Sequence, residues 1–152
     1  VPQLSVAEME RRQNMLRAAL RDRSISFNWH DPQTSRLEGV FARGDRRLGK
    51  TLLEAWRRGA RFDGWSEYFR PEIWVEAFEA TGIDPDFYTT RNRETDEPLP
   101  WGHIHCGASN EWLVAEWKRS QSGELTSDCR HGECTGCGVC QDLGVSVIDW
   151  RA

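Results

Sequence analysis

The sequence predicts a mainly α-helical protein that also contains one or two short strands and a cysteine-rich C-terminal module. Apolar residues recur at helical spacing over much of the N-terminal part of the chain. Residue types that typically begin or end helices stand at the edges of these stretches. Four of the five cysteines lie together between residues 129 and 140. These three features together predict the fold class.

Two capping boxes predict the first two helices. In a capping box, a serine caps the helix and a glutamate three residues later caps the serine in return. Ser5 and Glu8 begin a helix that is expected to run to about Asp22. Ser35 and Glu38 begin a second, shorter helix.

Glycine, aspartate and proline predict the bounds of the next helices. Gly44 is expected to end the second helix in a left-handed conformation, and Asp45 to cap the third. Gly59 is expected to end that third helix. Pro71 fits the first turn of a fourth helix, which Gly82 closes.

The remaining elements are one helical turn that begins at Asp84 and Pro85, two strands and one C-terminal helix. Apolar and polar residues alternate at 25–29 and again at 145–150, as they do in half-buried strands. Ser109 is expected to cap the C-terminal helix.

A polar loop divides the chain. Residues 89–100 are polar and contain two prolines. Such a composition is typical of a connection between domains. We therefore expect a helical domain at 1–100 and a cysteine-rich metal-binding module at 101–152.

Composition argues against several classes of protein. The net charge of −4 argues against a general nucleic-acid binder, which would be basic. No apolar run reaches bilayer length and no secretion leader precedes the first helix, so we expect a soluble, cytoplasmic protein with no membrane partner. The sequence contains no P-loop, dinucleotide-binding glycine motif, G-x-S-x-G or H-E-x-x-H.

The cysteine cluster predicts a metal site. Its spacing is C-x4-C-x2-C-x2-C, and the expected ligands are Cys129, Cys134, Cys137 and Cys140. Two-residue gaps let consecutive thiolates turn towards one centre. Three glycines permit the tight wrap that this requires, at positions Gly132, Gly136 and Gly138. An odd number of cysteines without a secretion signal favours a metal site over a disulfide framework.

The spacing favours a [4Fe–4S] cluster over zinc. Structural zinc usually takes two well-separated C-x2-C pairs, whereas C-x2-C-x2-C is the run that reaches three corners of a [4Fe–4S] cube. The fourth ligand is either Cys129 or Cys106, and His131 is a further alternate ligand. Zinc is the alternative metal, and a metal-free cysteine knot is the alternative to both.

A second group of possible ligands precedes the cluster. His103 and His105 alternate in the sequence, so in an extended chain they face the same side, next to Cys106. We prefer the interpretation in which this segment docks beside the cysteine loop and covers it. For Cys106, ligation and covering are both open.

A basic stretch predicts an anion contact. Arg43, Arg46 and Arg47 lie around a helix N-terminus, where a phosphate or an acidic substrate group is favoured. A solvated helix face is the alternative interpretation.

Three stretches carry a resemblance to a known family. They are residues 35–47 (SRLEGVFARGDRR), 59–67 (GARFDGWSE) and 128–140 (DCRHGECTGCGVC). Over nearly its whole length the chain resembles the region that follows the catalytic barrel in a group of B12-binding-domain/radical SAM iron–sulfur proteins. The resemblance implies an upstream cobalamin-type domain and radical SAM barrel, with S-adenosylmethionine and cobalamin as cofactors of the parent protein.

One motif of that superfamily is missing. The C-x3-C-x2-C triplet that binds the S-adenosylmethionine-cleaving cluster does not occur in this sequence. The chain is therefore not a complete radical enzyme, and the resemblance implies an auxiliary cluster that supports substrate binding or electron transfer. The alternative is a zinc-stabilised binding module for RNA or a protein partner.

Overall fold

A computed structural model describes residues 2–148 of the chain. These residues form helices and no strand, and the chain divides into two compact units, Val1–Glu94 and Thr95–Ala152. The division falls inside the predicted loop at 89–100. The helices are α1 (Val6–Ala19), α2 (Pro32–Ala42), α3 (Leu48–Arg57), α4 (Pro71–Thr81), α5 (Asp86–Thr89), α6 (Asn110–Gln121) and α7 (Val139–Leu143). The predicted mainly α-helical class is confirmed.

The N-terminal unit has one apolar core. Helix α3 packs against α4, α2 against α5, and α1 against α2. Between α3 and α4 the hydroxyls of Thr51 and Thr81 lie 2.8 Å apart, so the buried Thr51 side chain has a hydrogen-bond partner. The buried apolar residues come from four helices and are Val40, Leu48, Ala55, Trp74, Ala77, Phe78 and Tyr88.

Several helix ends form as the sequence predicts. The hydroxyl of Ser5 accepts a hydrogen bond from the Glu8 N–H at 3.3 Å and caps α1, which ends at Ala19, about one turn before the predicted end. Pro71 lies in the first turn of α4. Gly59 and Gly82 have φ angles of 104° and 63°, the left-handed region in which glycine is strongly favoured after a helix.

The predicted start of α2 is wrong by one turn. The helix begins at Pro32, and Asp31 caps it by accepting a hydrogen bond from the Thr34 N–H at 2.8 Å. A cap followed by proline is a strong start signal because proline has no N–H that needs a partner there. Ser35 therefore lies inside the helix, where its hydroxyl is 2.9 Å from His30 Nδ1.

The predicted link between α2 and α3 is also wrong. Gly44 is not among the described glycines with positive φ, and Asp45 is not the N-cap of α3, which begins at Leu48 with Arg47 preceding it. A side chain at Gly44 would run into Leu48 and the carbonyl of Val40. Glycine is thus required here for close packing and not for a left-handed turn.

Neither predicted strand forms in the described residues. Residues 25–29 have no strand, because a strand needs a neighbouring strand for its backbone hydrogen bonds and none is present within 2–148. Instead the Phe27 ring stacks on Trp29 at 5.4 Å, and Arg17 lies 5.0 Å from the Trp29 ring. Residues 145–148 have no strand either, and the last two residues of that prediction, 149 and 150, lie outside the described range.

The C-terminal unit differs from the first in its lack of a core. Among its described residues, 95–148, Gly107 alone is buried, and no apolar side chain is. Ser109 caps α6 as predicted, accepting from the Trp112 N–H at 3.1 Å. Within residues 2–148, no helix has both the length and the apolar character that crossing a bilayer requires.

Candidate metal centre

The cysteine loop follows α6 and ends in α7. Cys129 and Cys134 are exposed, whereas Cys137 and Cys140 are half-buried. All five cysteines of the chain are free thiols, so no disulfide constrains the loop. Cys140 lies in α7, a short helix that the sequence analysis did not predict.

Two glycines give the cysteine loop its tight turns. Gly136 and Gly138 have φ angles of 72° and 97°, values that other residues rarely adopt. The Gly136 N–H donates a hydrogen bond to the Cys134 sulfur at 3.4 Å. Hydrogen bonds of this kind stabilise a thiolate, the form of cysteine that binds metals.

The beginning of the loop is fixed by an aspartate–arginine pair. The Asp128 carboxylate accepts hydrogen bonds from the Arg130 N–H at 3.0 Å and from its guanidinium at 2.6 Å. These bonds hold the pKa of Asp128 well below its ordinary value, and the pKa of Arg130 is raised by the same contact. His131 is exposed, and its backbone N–H donates a hydrogen bond to the Asp128 carbonyl at 3.0 Å.

The loop is held against the start of α6. The Ser109 N–H donates to the Cys137 carbonyl at 2.9 Å. The indole N–H of Trp112 donates to the Thr135 carbonyl at 3.1 Å. Because both acceptors are main-chain carbonyls, one at Thr135 and one at Cys137, these bonds position the loop without using the thiols themselves.

Gly107 brings the preceding segment close to α7. A side chain at Gly107 would lie 3.0 Å from Leu143, and one at Gly138 would lie 3.1 Å from the Gly107 carbonyl. His105 Nε2 is 3.2 Å from the Asp142 carboxylate. The segment therefore docks beside the cysteine loop, as the preferred interpretation of the sequence proposed.

His103, His105 and Cys106 are exposed and line one cavity of about 420 Å³ together with Asp142. Sequence reasoning did not identify Asp142 or Trp112. A carboxylate next to the cluster and a tryptophan in a helix carry no motif that distinguishes them.

The sulfurs do not yet surround a common point. Within residues 2–148, no three side chains of His, Cys, Asp or Glu are gathered as the ligands of one metal ion would be. Binding of an ion or cluster at the four predicted cysteines therefore requires the loop to draw its sulfurs inward. The loop has suitable donor chemistry, because soft thiolates are the ligands of iron–sulfur clusters and zinc.

Two of the three arginines in the basic stretch, Arg43 and Arg47, contact other residues of the N-terminal unit. Arg43 donates to the Thr89 carbonyl at 3.0 Å, within the N-terminal unit. Arg47 forms a 2.6 Å ion pair with Asp45, whose pKa falls to about 2 because of the Arg47 hydrogen bonds, and the same contact raises the pKa of Arg47. Arg46 is exposed and, among the described residues, has no carboxylate within ion-pair distance. Of the three predicted anion contacts, Arg46 and Arg47 are exposed, and Arg47 is already paired with Asp45.

Fold and site together define a small helical domain followed by a module that carries a cysteine loop and buries no apolar side chain within its described residues, 95–148. No protein-family model, curated protein or solved structure matches the chain.

Proposed function

We propose that the chain is the C-terminal auxiliary iron–sulfur region of a radical SAM-type enzyme. In this proposal Cys129, Cys134, Cys137 and Cys140 hold a [4Fe–4S] cluster. When bound, such a cluster supplies an electron-transfer centre or an open iron site for a substrate group. The upstream barrel, its S-adenosylmethionine and cobalamin belong to the proposal through the family resemblance of the sequence.

The observation that carries the metal proposal is the missing core of the C-terminal unit. Burial of apolar side chains is the main source of folding free energy, and small domains that lack it need disulfides or a metal. In the described residues of this unit no apolar side chain is buried, and its cysteines form no disulfide. A metal bound by the four thiolates would supply the stability that an apolar core or disulfides give to other small domains.

The roles of the surrounding residues follow from their contacts. The Gly136 N–H offsets negative charge at the Cys134 sulfur. Trp112 and Ser109 hold the loop at two carbonyls, one before and one at Cys137. The His105–Asp142 pair fixes the segment that contains Cys106 beside the loop.

Metal and sulfide analysis tests the proposal directly. After anaerobic purification we expect about four iron and four acid-labile sulfide per chain, and loss of both in Cys137→Ser. Stoichiometric zinc without sulfide would reject the iron–sulfur proposal in favour of a zinc-stabilised binding module. A folded chain without either metal would reject both.

A further inference from the structure

Four exposed aromatic residues and one arginine lie close together in sequence, from the last turn of α3 to the segment that precedes α4. The rings are unusually open, with exposed fractions of 55% for Trp56, 67% for Phe62, 58% for Trp65 and 55% for Tyr68. Phe62 contacts both Trp65 and Tyr68, with ring centroids 6.0 Å apart in each case. Arg61 lies over Trp56, 4.6 Å from the ring centroid. We call these five residues the aromatic–arginine surface.

Both ends of this segment are anchored in the core. Ala60 and Phe69 pack against the buried residues of the N-terminal unit. Between them the Trp65 N–H donates to the Phe62 carbonyl at 2.9 Å, and the Tyr68 N–H donates to the Trp65 carbonyl at 2.9 Å. Two successive turns thus hold the three aromatic residues in place, and each of them stays more than half exposed.

The backbone at Phe62 is strained. Its φ of 58° is the only positive value at a non-glycine residue in the described chain. Such a conformation is costly for a bulky residue and persists where the surrounding structure enforces it. Because the Phe62 ring remains mostly exposed, burial does not compensate for this cost. Residues held this way are frequent at ligand sites.

The charges beside the rings are mainly positive. The Arg61 guanidinium is fixed by hydrogen bonds to the Trp56 and Ala60 carbonyls at 2.6 and 2.7 Å. Among the described residues, no carboxylate lies within ion-pair distance of Arg57 or Arg70, which flank the segment. The segment from 56 to 70 contains two acidic residues against four arginines, and one of these arginines, Arg58, is already paired with Glu54 and Glu76.

We propose that the aromatic–arginine surface binds single-stranded nucleic acid, with the open rings stacking on unpaired bases and the arginines contacting phosphates. Rings paired with guanidinium groups are the usual platform for such strands. A purely apolar protein partner fits less well, because it would offer no counter-charge to Arg61, which lies over the Trp56 ring. Because the whole chain carries a net charge of −4, we expect nucleic acid to bind at this surface and not along the chain in general.

Fluorescence anisotropy with a labelled oligouridylate tests this proposal on the full chain at low salt. Phe62→Gly removes the ring, and glycine tolerates the left-handed φ, so the turn should be retained. We expect this variant and Trp65→Leu each to weaken binding roughly 5- to 100-fold, as for loss of one stacked base. Arg57→Gln combined with Arg70→Gln should flatten the dependence of Kd on salt concentration.

Trp29 is the matched control, because it is also exposed, at 48%, and also lies under an arginine, Arg17. Trp29→Leu should leave binding unchanged. The proposal is overturned if oligouridylate and oligothymidylate both fail to bind, if Trp29→Leu weakens binding as much as Phe62→Gly, or if a duplex binds as tightly as the single strand. Comparison of the two oligonucleotides then tells RNA from DNA as the preferred strand.

Discussion

The indole N–H of Trp112, in α6, donates a hydrogen bond to the carbonyl of Thr135, 3.1 Å away in the cysteine loop. Thr135 lies between the candidate ligands Cys134 and Cys137. The bond therefore connects the first regular helix of the C-terminal unit to the segment that is expected to wrap the metal. The bond is one of the contacts that hold this unit together, because no apolar side chain is buried in its described part.

Removing this bond should weaken metal binding. Trp112→Phe keeps most of the ring and deletes the donor, which we expect to cost about 1 kcal/mol, or roughly a fivefold loss of metal affinity. The measurement is a chelator competition on the metal-loaded chain. Trp117→Phe is the control, because Trp117 lies in the same helix and makes no described indole hydrogen bond to the loop. Equal affinities of Trp112→Phe and the unchanged chain would contradict a role for this bond.

The identity of the fourth ligand can be decided by two serine variants. Cys137→Ser should remove the metal and unfold the C-terminal unit, while hydrogen exchange at core residues such as Val40 and Ala55 stays slow, because that core lies in the other unit. Cys106→Ser should leave metal content unchanged if Cys129 is the fourth ligand. If Cys106→Ser loses metal as Cys137→Ser does, the assignment of Cys129 is wrong.

The ion pair between Asp45 and Arg47 should make the N-terminal unit less stable at acid pH. The Arg47 hydrogen bonds lower the pKa of Asp45 from 3.8 to about 2 in the folded state. Since the folded pKa lies below the unfolded one, the stabilisation is complete above about pH 4 and is lost as the pH falls towards 2. The pair lies near the surface, so we expect roughly 0.2–1 kcal/mol.

Urea unfolding as a function of pH measures this contribution. Hydrogen bonds to Arg11 and Arg12 also lower the pKa of Glu8 to about 2. The pH dependence of the unchanged chain alone therefore does not separate Asp45 from Glu8, and a variant is needed. Arg47→Gln should have a lower unfolding free energy than the unchanged chain at pH 6. Near pH 2 the two unfolding free energies should be equal. Its neighbour supplies the control, since Arg46→Gln removes an exposed arginine that has no described ion pair. A constant difference between Arg47→Gln and the unchanged chain at all pH values would refute the coupling.

Helix ends could be predicted from a few neighbouring residues. Structure that depends on contacts between distant residues could not. Ser5, Ser109 and Gly82 act through hydrogen bonds and dihedral angles within a few residues, so their roles can be inferred without knowledge of the rest of the chain. The strand at 25–29 failed because alternation describes one side of a pairing and says nothing about the other strand.

The candidate site divides in the same way. Spacing identifies the four cysteines, and the glycines between them predict a tight loop. The contacts that fix this loop, from Trp112 and from Gly107, come from residues more than twenty positions earlier. No sequence period connects such distant positions. Convergence of the thiols on one metal accordingly stays a prediction for the analysis of metal content.

Two glycines in the N-terminal unit should respond in opposite directions to alanine. Gly49 lies in α3 with open space around the position of a side chain and an ordinary φ, so Gly49→Ala should stabilise the helix by up to about 1 kcal/mol through lower entropy of the unfolded chain. Gly82 ends α4 with φ at 63°, so Gly82→Ala should destabilise by about 1 kcal/mol.

Thermal and urea unfolding of both variants give the comparison. Neither substitution meets a neighbouring atom, because a side chain at either position has nothing within 4 Å. Any difference between the variants therefore reports backbone conformation and not packing. Stabilisation by Gly82→Ala would show that α4 does not end in a left-handed turn, and the core contacts of Phe78, one turn earlier, would then need a different explanation.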